Sequence, residues 1–327
     1  MKKVLDRKRM ISYTVGALLI LLLPLLFGVL GLGYATTVLC FATLYIVATS
    51  GLDLLYGYCG QISMGHVAYF AIGAYGSVLL HKHAGMPVLL TMLFASVLAA
   101  AVGALIAYPA SKLVFHFLSL ATIAFAEIVH SLLLNSPGNI TGNAVGLFTD
   151  PANLFGFKIN TSLRFYYFGL VLAVVFLTAK TMLVKSRVGR AWIAIRENPV
   201  AANGMGINVT KYKVLAFVTS AFFTGFAGAM YAHFVRYIGP DTFTLKQSIM
   251  FVTMLLFGGT NTLAGPIVGA VSVMLLNEGL RSLEQYQMLV YGVLLLMVIV
   301  VMPGGLYGSA RDLINKIAAG RRKKDAA

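Results

Sequence analysis

Tyr56-Gly57-Tyr58-Cys59-Gly60-Gln61-Ile62-Ser63-Met64-Gly65-His66 interrupts a long apolar stretch that begins near residue 34 and ends near residue 80. About 20 apolar residues suffice for a helix to cross a bilayer, so the stretch holds two crossings, 34–56 and 62–80, joined by a glycine-rich break. Further apolar runs occupy 11–31, 87–109, 115–134, 164–184, 213–236, 243–257, 266–281 and 286–302. Of the 327 residues, 59% are apolar and only 11% are charged, with a mean hydropathy of +0.86. A soluble domain carries roughly 25% charged residues, so a soluble enzyme, a disordered tail and a single-span receptor are excluded. The expected fold is an all-α polytopic membrane protein of about 8–10 transmembrane helices, organised as one membrane domain over 1–327.

A second break, Phe257-Gly258-Gly259-Thr260-Asn261-Thr262-Leu263-Ala264-Gly265-Pro266, has the same character. Gly73-Ala74 follows the first and Gly269-Ala270 the second, which suggests a duplicated architecture. Non-helical backbone at membrane depth survives only when it is buried in protein or lines a water-filled path, and discontinuous helices often mark transport sites. Two tight turns at the membrane surface explain the breaks equally well.

The formal net charge is +15, from 25 Lys and Arg against 10 Asp and Glu. Its distribution follows the positive-inside rule rather than a nucleic-acid footprint. With ten crossings and a cytoplasmic N-terminus, eighteen Lys and Arg fall inside and six outside. That places the basic N-terminus 1–10, the loop 185–212 and the basic tail 309–327 in the cytoplasm, and the turn-rich loop 135–162 in the periplasm. The run 11–31 is too long for a cleaved signal and is expected to be the first span.

The acidic residues within the spans are Asp53, Glu127 and Glu278, and Lys180 also falls inside a span. On the span 115–134, Ser119, Thr122, Glu127, His130 and Ser131 share one half of the helix, a face suited to a polar pathway or to hydrogen bonding between helices. None of the six histidines has metal-ligand spacing, and Cys40 and Cys59 form no zinc pattern. No catalytic residue and no metal site are expected. His66, just after the first break, reads as a satisfied structural group more readily than as a proton relay.

The loop 185–212 is the most informative polar segment. Gly189 to Glu197 reads as a short amphipathic helix with Trp192 and Ile195 on one side. Asn198 is a good N-cap and Pro199 suits the first helical position. A helix over 199–205 then stops at Gly206, a natural C′ residue, and Asn208 and Thr210 start the next. Two short helices make a rigid protrusion, able to dock on a cytoplasmic partner or to lie flat on lipid headgroups.

Several of these stretches carry a resemblance. Val200-Ala201-Ala202 with Gly206 has the spacing of the EAA-x3-G loop of ABC importer permeases, with Val in place of Glu. Gly57 to Phe70, continuing through Gly73-Ala74-Tyr75, resembles the GYAGQxSxGHAAFF-x2-GAY signature of the LivM-type permease family of branched-chain amino acid importers. Ala121 to Ile128, Thr141-Gly142, Ala194 to Asn198, Gly204 to Val209, Phe257-Gly258-Gly259, Leu263 to Pro266 and Pro303 to Leu306 look like its other blocks. The resemblance covers roughly 35–308. Asn261 stands where the family usually has Gly, and Phe115-His116 replaces a usual Arg-Gly. Asp53 and Cys59 are similar to the related urea-type permeases.

The resemblance implies an inner-membrane importer subunit that forms half of a translocation path for branched-chain or other hydrophobic amino acids. Its implied partners are a second, LivH-type permease, two LivG/LivF-type ATP-binding subunits, a periplasmic solute-binding protein and membrane lipid. ATP and Mg would sit on the ATPases, and this chain has no GxxxxGK(S/T) phosphate loop and no expected cofactor of its own. Arg196, Glu197, Asn198, Pro199, Ala201, Ala202 and Gly206 would receive the ATPase stroke. Gln61, Ser63, His66, Thr122, Glu127, Gly258, Gly259, Thr262, Gly265 and Pro266 are the candidates for the gate or path. Two alternatives stay open: a permease for urea or short amides in the same family, and a gradient-driven transporter coupled through His66, Glu127 and Glu278.

Overall fold

The computed structural model describes residues 21–28, 33–111, 115–151, 153–154, 157–280, 285–302 and 304–309. The basic N-terminus 1–10 and, apart from Ser309, the basic tail 309–327 lie outside them. Every expected span holds a helix. α1 covers 21–28, and α2 (Gly33–Asp53) runs on into a π-helical turn, Leu54–Tyr58. After the first break come α3 (His66–Ala84), α4 (Val88–Ala110), α5 (Phe115–Leu134) and α6 (Ser162–Lys185). The polar loop forms α7 (Arg187–Glu197) and α8 (Pro199–Gly204), and α9 (Val209–Val235) follows. α10 (Leu245–Gly258) and α11 (Gly265–Gly279) flank the second break, and α12 (Gln287–Val301) and α13 (305–309) end the described chain.

Five of these are long and apolar enough to cross a membrane: 33–58, 88–110, 117–134, 162–185 and 209–235. α10, α11 and α12 have 14, 15 and 15 residues. At ~1.5 Å per residue they reach only about 21–23 Å, short of a hydrocarbon core of ~30 Å. The sequence runs were located correctly, but these three helices are short of full crossings.

α2 and α9 form the centre, enclosed by α3, α4, α6 and α10. α3 and α9 touch backbone to backbone, because a Cβ on Gly73 would strike Gly225 and one on Gly228 would strike the Phe70 carbonyl. Lipid supplies no hydrophobic drive between helices, so close approach through small residues is what lets them attract. Tyr45, Phe70, Phe243 and Phe251 fill the space around this contact with tilted and edge-on ring pairs. Buried hydroxyls return to their own helices, as Thr49 does by donating to the Tyr45 carbonyl at 2.6 Å.

Contacts separate two ends of the bundle. At one, the loop after α5 forms β1 (Leu147–Phe148) against β4 (Tyr237–Ile238), and β2 (Asn153–Leu154) pairs with β3 (Phe157–Lys158). Arg236 leaves α9 with a φ of 64° and donates to the Asn160 carbonyl at 2.9 Å, tying that loop down. At the opposite end lie both glycine breaks together with α7 and α8.

Candidate functional site

The first break begins where α2 widens into its π turn. Cys59 N–H reaches back to the Leu54 carbonyl at 3.2 Å, and Gln61 N–H to the Leu55 carbonyl at 3.0 Å. Residues 59–65 are then non-helical, and all but Gly60, Ile62 and Met64 are buried. Thr122 of α5 holds the stretch from outside: its Oγ1 accepts from Met64 N–H at 3.0 Å and donates to the Ser119 carbonyl at 2.9 Å. His66 opens α3 and is buried. Its Nδ1 lies 3.1 Å from Ser63 Oγ and its Nε2 2.7 Å from Ser220 Oγ on α9. Both ring nitrogens therefore have partners, and His66 fastens the break to the central helix. Val67 N–H donates to Ser248 Oγ at 3.1 Å, joining α3 to α10.

The second break reverses the chain between α10 and α11. Gly259 has a φ of 107° and Asn261 a φ of 60°. Asn is the residue that best tolerates the left-handed region after Gly, which explains how it can stand where the family usually has Gly. Thr262 Oγ1 donates to the Gly259 carbonyl at 3.2 Å and accepts from Gly265 N–H at 2.8 Å, closing the turn. Gly258 and Gly265 pack directly on one another, and Pro266 is buried in the first turn of α11.

One ion pair ties the two breaks together. Lys180 Nζ on α6 lies 2.6 Å from Asp53 Oδ2, with exposures of 1% and 0%. Asp53 Oδ1 accepts Asn261 N–H at 3.0 Å, and Lys180 also donates to the Thr262 carbonyl at 3.0 Å. The Tyr58 ring sits 5.8 Å from the ammonium. A buried pair of this kind is stable only when further hydrogen bonds satisfy its remaining donors and lone pairs, and the second break supplies them from its backbone. Sequence reasoning named Asp53 as an intramembrane charge but gave it no partner, and gave Lys180 no role. The missed signal was two opposite charges set within apolar stretches of α2 and α6, each near the same end of its helix.

The segment after α6 is capped at each start. Ser186 accepts from Val188 N–H, Asn198 from Val200 and Ala201 N–H, and Asn208 from Lys211 N–H. Trp192 is fully buried and donates from Nε1 to the Tyr212 carbonyl at 2.8 Å, and Ile195 is buried beside it. The indole is thus an anchor to α9 and is not exposed to headgroups. Arg196, Glu197, Asn198, Pro199, Ala201 and Gly206 are exposed while Ala202 is buried. Val200 and Met205 are 80% and 84% exposed. Gly60, with a φ of 70°, lies against Arg196: a Cβ there would stand 3.0 Å from Arg196 Cγ. The protrusion therefore rests on the first break.

Gln61, Ser63, His66 and Thr122 are gathered at the first break, and Gly258, Gly259, Thr262, Gly265 and Pro266 at the second, with Asp53 and Lys180 between them. Glu127 is not among them. It lies five residues beyond Thr122, about 140° around α5 at ~3.6 residues per turn, and is exposed on the surface of the chain.

The family described as branched-chain amino acid transport system, permease component, matches residues 34–301. The chain belongs to this permease family. It is 30% identical over 308 residues to the high-affinity branched-chain amino acid transport system permease protein LivM of Salmonella typhimurium, covering 87% of this chain and 72% of the relative. The ribose import permease protein RbsC of Escherichia coli is 26% identical over 84% of each chain. A probable branched-chain amino acid permease protein, LivH, of Methanocaldococcus jannaschii is 27% identical over 80% of this chain and 86% of its own. No solved structure matches. The family's matched region holds both breaks, the ion pair and the protrusion.

Proposed function

We propose that this permease forms half of the pore of an ABC importer for branched-chain and other hydrophobic amino acids. A second, LivH-type permease completes the pore, a periplasmic binding protein delivers substrate, and two partner ATPases hold ATP and Mg. The observation that carries the reading is the protrusion α7–α8. It is capped at each start, anchored by Trp192, and presents Val200 and Met205 almost fully exposed. Two exposed apolar side chains on a segment held by caps and an indole anchor offer a contact to a protein partner. Because Arg196 rests on Gly60, a push on this segment reaches the first break directly, and the Asp53–Lys180 pair relays it to the second. That end of the bundle is the cytoplasmic side of the inner membrane in this reading, and the β1–β4 end is periplasmic.

Residues 196–206 form the ATPase-coupling surface. Gln61, Ser63, His66 and Thr122 form one side of the gate, with Gly258, Gly259, Thr262, Gly265 and Pro266 on the other. The chain itself performs no hydrolysis. The test is to tag it in its host, extract it gently and identify what co-purifies by mass spectrometry. ATP-binding subunits and a second permease are expected. Recovery of the chain alone, moving solute into liposomes without ATP, would overturn the proposal.

A further inference from the structure

The short helices leave a recess at the β1–β4 end. Their junction is held at the ion pair near the opposite end, so α10 and α11, 14 and 15 residues long, stop short of the level that full crossings reach. A cavity of about 240 Å³ opens there, among residues of α2, the 241–247 segment, α11 and α12. It has room for roughly eight waters at ~30 Å³ each, close to the nine non-hydrogen atoms of leucine.

Its walls carry both signs of charge. Asp241 and Lys246 line it, both exposed, and no ion pair joins them. The N-terminus of α10 opens into the same space, where Thr244 makes no side-chain cap. Uncapped N–H groups at a helix start attract a carboxylate. A further group points to a missing ligand. Tyr291 is 1% exposed, yet its hydroxyl has no hydrogen-bond partner. Buried polar groups are nearly always paired, and an unpaired one calls for an explanation.

We propose that this recess is a transit site for the zwitterion of an aliphatic α-amino acid. The carboxylate sits at the start of α10 beside Lys246, the ammonium faces Asp241 and the side-chain amide of Asn277, and the aliphatic part lies against Met250. The Tyr291 hydroxyl gains its missing partner from the ligand. A neutral sugar or amide brings no formal charge to pair with either Asp241 or Lys246. The inference rests on the permease reading, which makes this the side that faces the binding protein.

The test is equilibrium binding of radiolabelled L-leucine to the full-length chain in lipid nanodiscs. 4-Methylpentanoate and isopentylamine, each lacking one charge, should compete at least 10-fold more weakly than L-leucine. Lys246→Met and Asp241→Asn should each weaken leucine binding at least 10-fold. Tyr291→Phe, which removes only the hydroxyl, should weaken it several-fold without loss of fold. Absence of leucine binding, equal competition by the single-charge analogues, or unchanged affinity in all three variants would overturn the site. Uptake by the assembled importer separates the two readings: leucine import by a chain that fails these assays overturns the site alone. Failure to assemble with ATPases overturns the importer reading, and the binding data still judge the recess.

Discussion

Lys180 Nζ and Asp53 Oδ2 meet at 2.6 Å across 127 residues of sequence, fully buried, at the point where both helix breaks converge. Removing one partner strands a charge in a medium that cannot solvate it, at a cost of about 3–5 kcal/mol. Removing both charges while keeping shape is far milder. Lys180→Met alone should therefore sharply lower the thermal stability of the purified protein in detergent. Adding Asp53→Asn should restore more than half of the loss, because the Asn oxygen still accepts from Asn261 N–H. A double variant as unstable as the sum of the two singles would show that the pair is not coupled.

Asn261 takes a φ of 60°, and its side-chain oxygen is buried without a partner. Asn261→Gly should be neutral to about 1 kcal/mol stabilising, since it removes an unsatisfied acceptor and suits the backbone at a small entropic cost. Asn261→Val should cost about 1–2 kcal/mol, the penalty for a side chain forced into the left-handed region. Melting of the two variants against the parent gives the order directly. Equal melting points would mean that this turn relaxes to another conformation.

The spans were legible because a bilayer forces every backbone group into helix. The run 115–134 matches α5 and 87–109 matches α4 to within a residue. The caps at Asn198 and Asn208 were legible too, since they depend on neighbours two or three residues away. The Asp53–Lys180 pair was not, because its partners come from α2 and α6 and nothing local links them. Glu127 shows a second limit: a helical wheel relates residues to each other but does not say which way the helix faces. The gate candidates gathered at the two breaks because glycine spacing reports backbone approach, whereas Asn261 became interpretable only from its φ.

Gly73 and Gly228 let α3 and α9 touch. Gly73→Ala should push the Gly225 backbone away, and Gly228→Ala should do the same to the Phe70 carbonyl. Overpacking of this kind costs about 1–3 kcal/mol. Gly204→Ala, with open space around it, should leave stability within about 0.5 kcal/mol. The comparison is made by thermal denaturation in one detergent. Indifference at Gly73 and Gly228 would mean that the two helices are not in backbone contact.

Met205 is 84% exposed at the end of α8, so Met205→Asp should leave folding intact. In the proposed importer it should cut co-purifying ATPase at least 10-fold, because a charge would have to be buried at the contact. Trp192→Phe acts differently. It loses the bond to the Tyr212 carbonyl, worth about 1 kcal/mol, and loosens the protrusion from α9. Its ATPase should still bind, with less transport for each ATP consumed. ATPase recovery unchanged in Met205→Asp would remove this surface from the contact.

Glu127 decides between an ATP-driven and a gradient-driven pore. It is exposed on α5, away from the ion pair and both breaks. A proton- or sodium-coupled transporter needs an ionisable group that reaches the path, and such a group within a span is a functional candidate by default. Under the importer reading no side chain of this chain carries coupling protons, so Glu127→Gln should keep substrate-stimulated ATP hydrolysis and uptake within about two-fold. Uptake in proteoliposomes should follow internal or external ATP at the ATPases and ignore an imposed pH or sodium gradient. Uptake abolished by Glu127→Gln, and driven by a gradient without ATP, would move the mechanism into the membrane carboxylates and leave α7–α8 without a stroke to transmit.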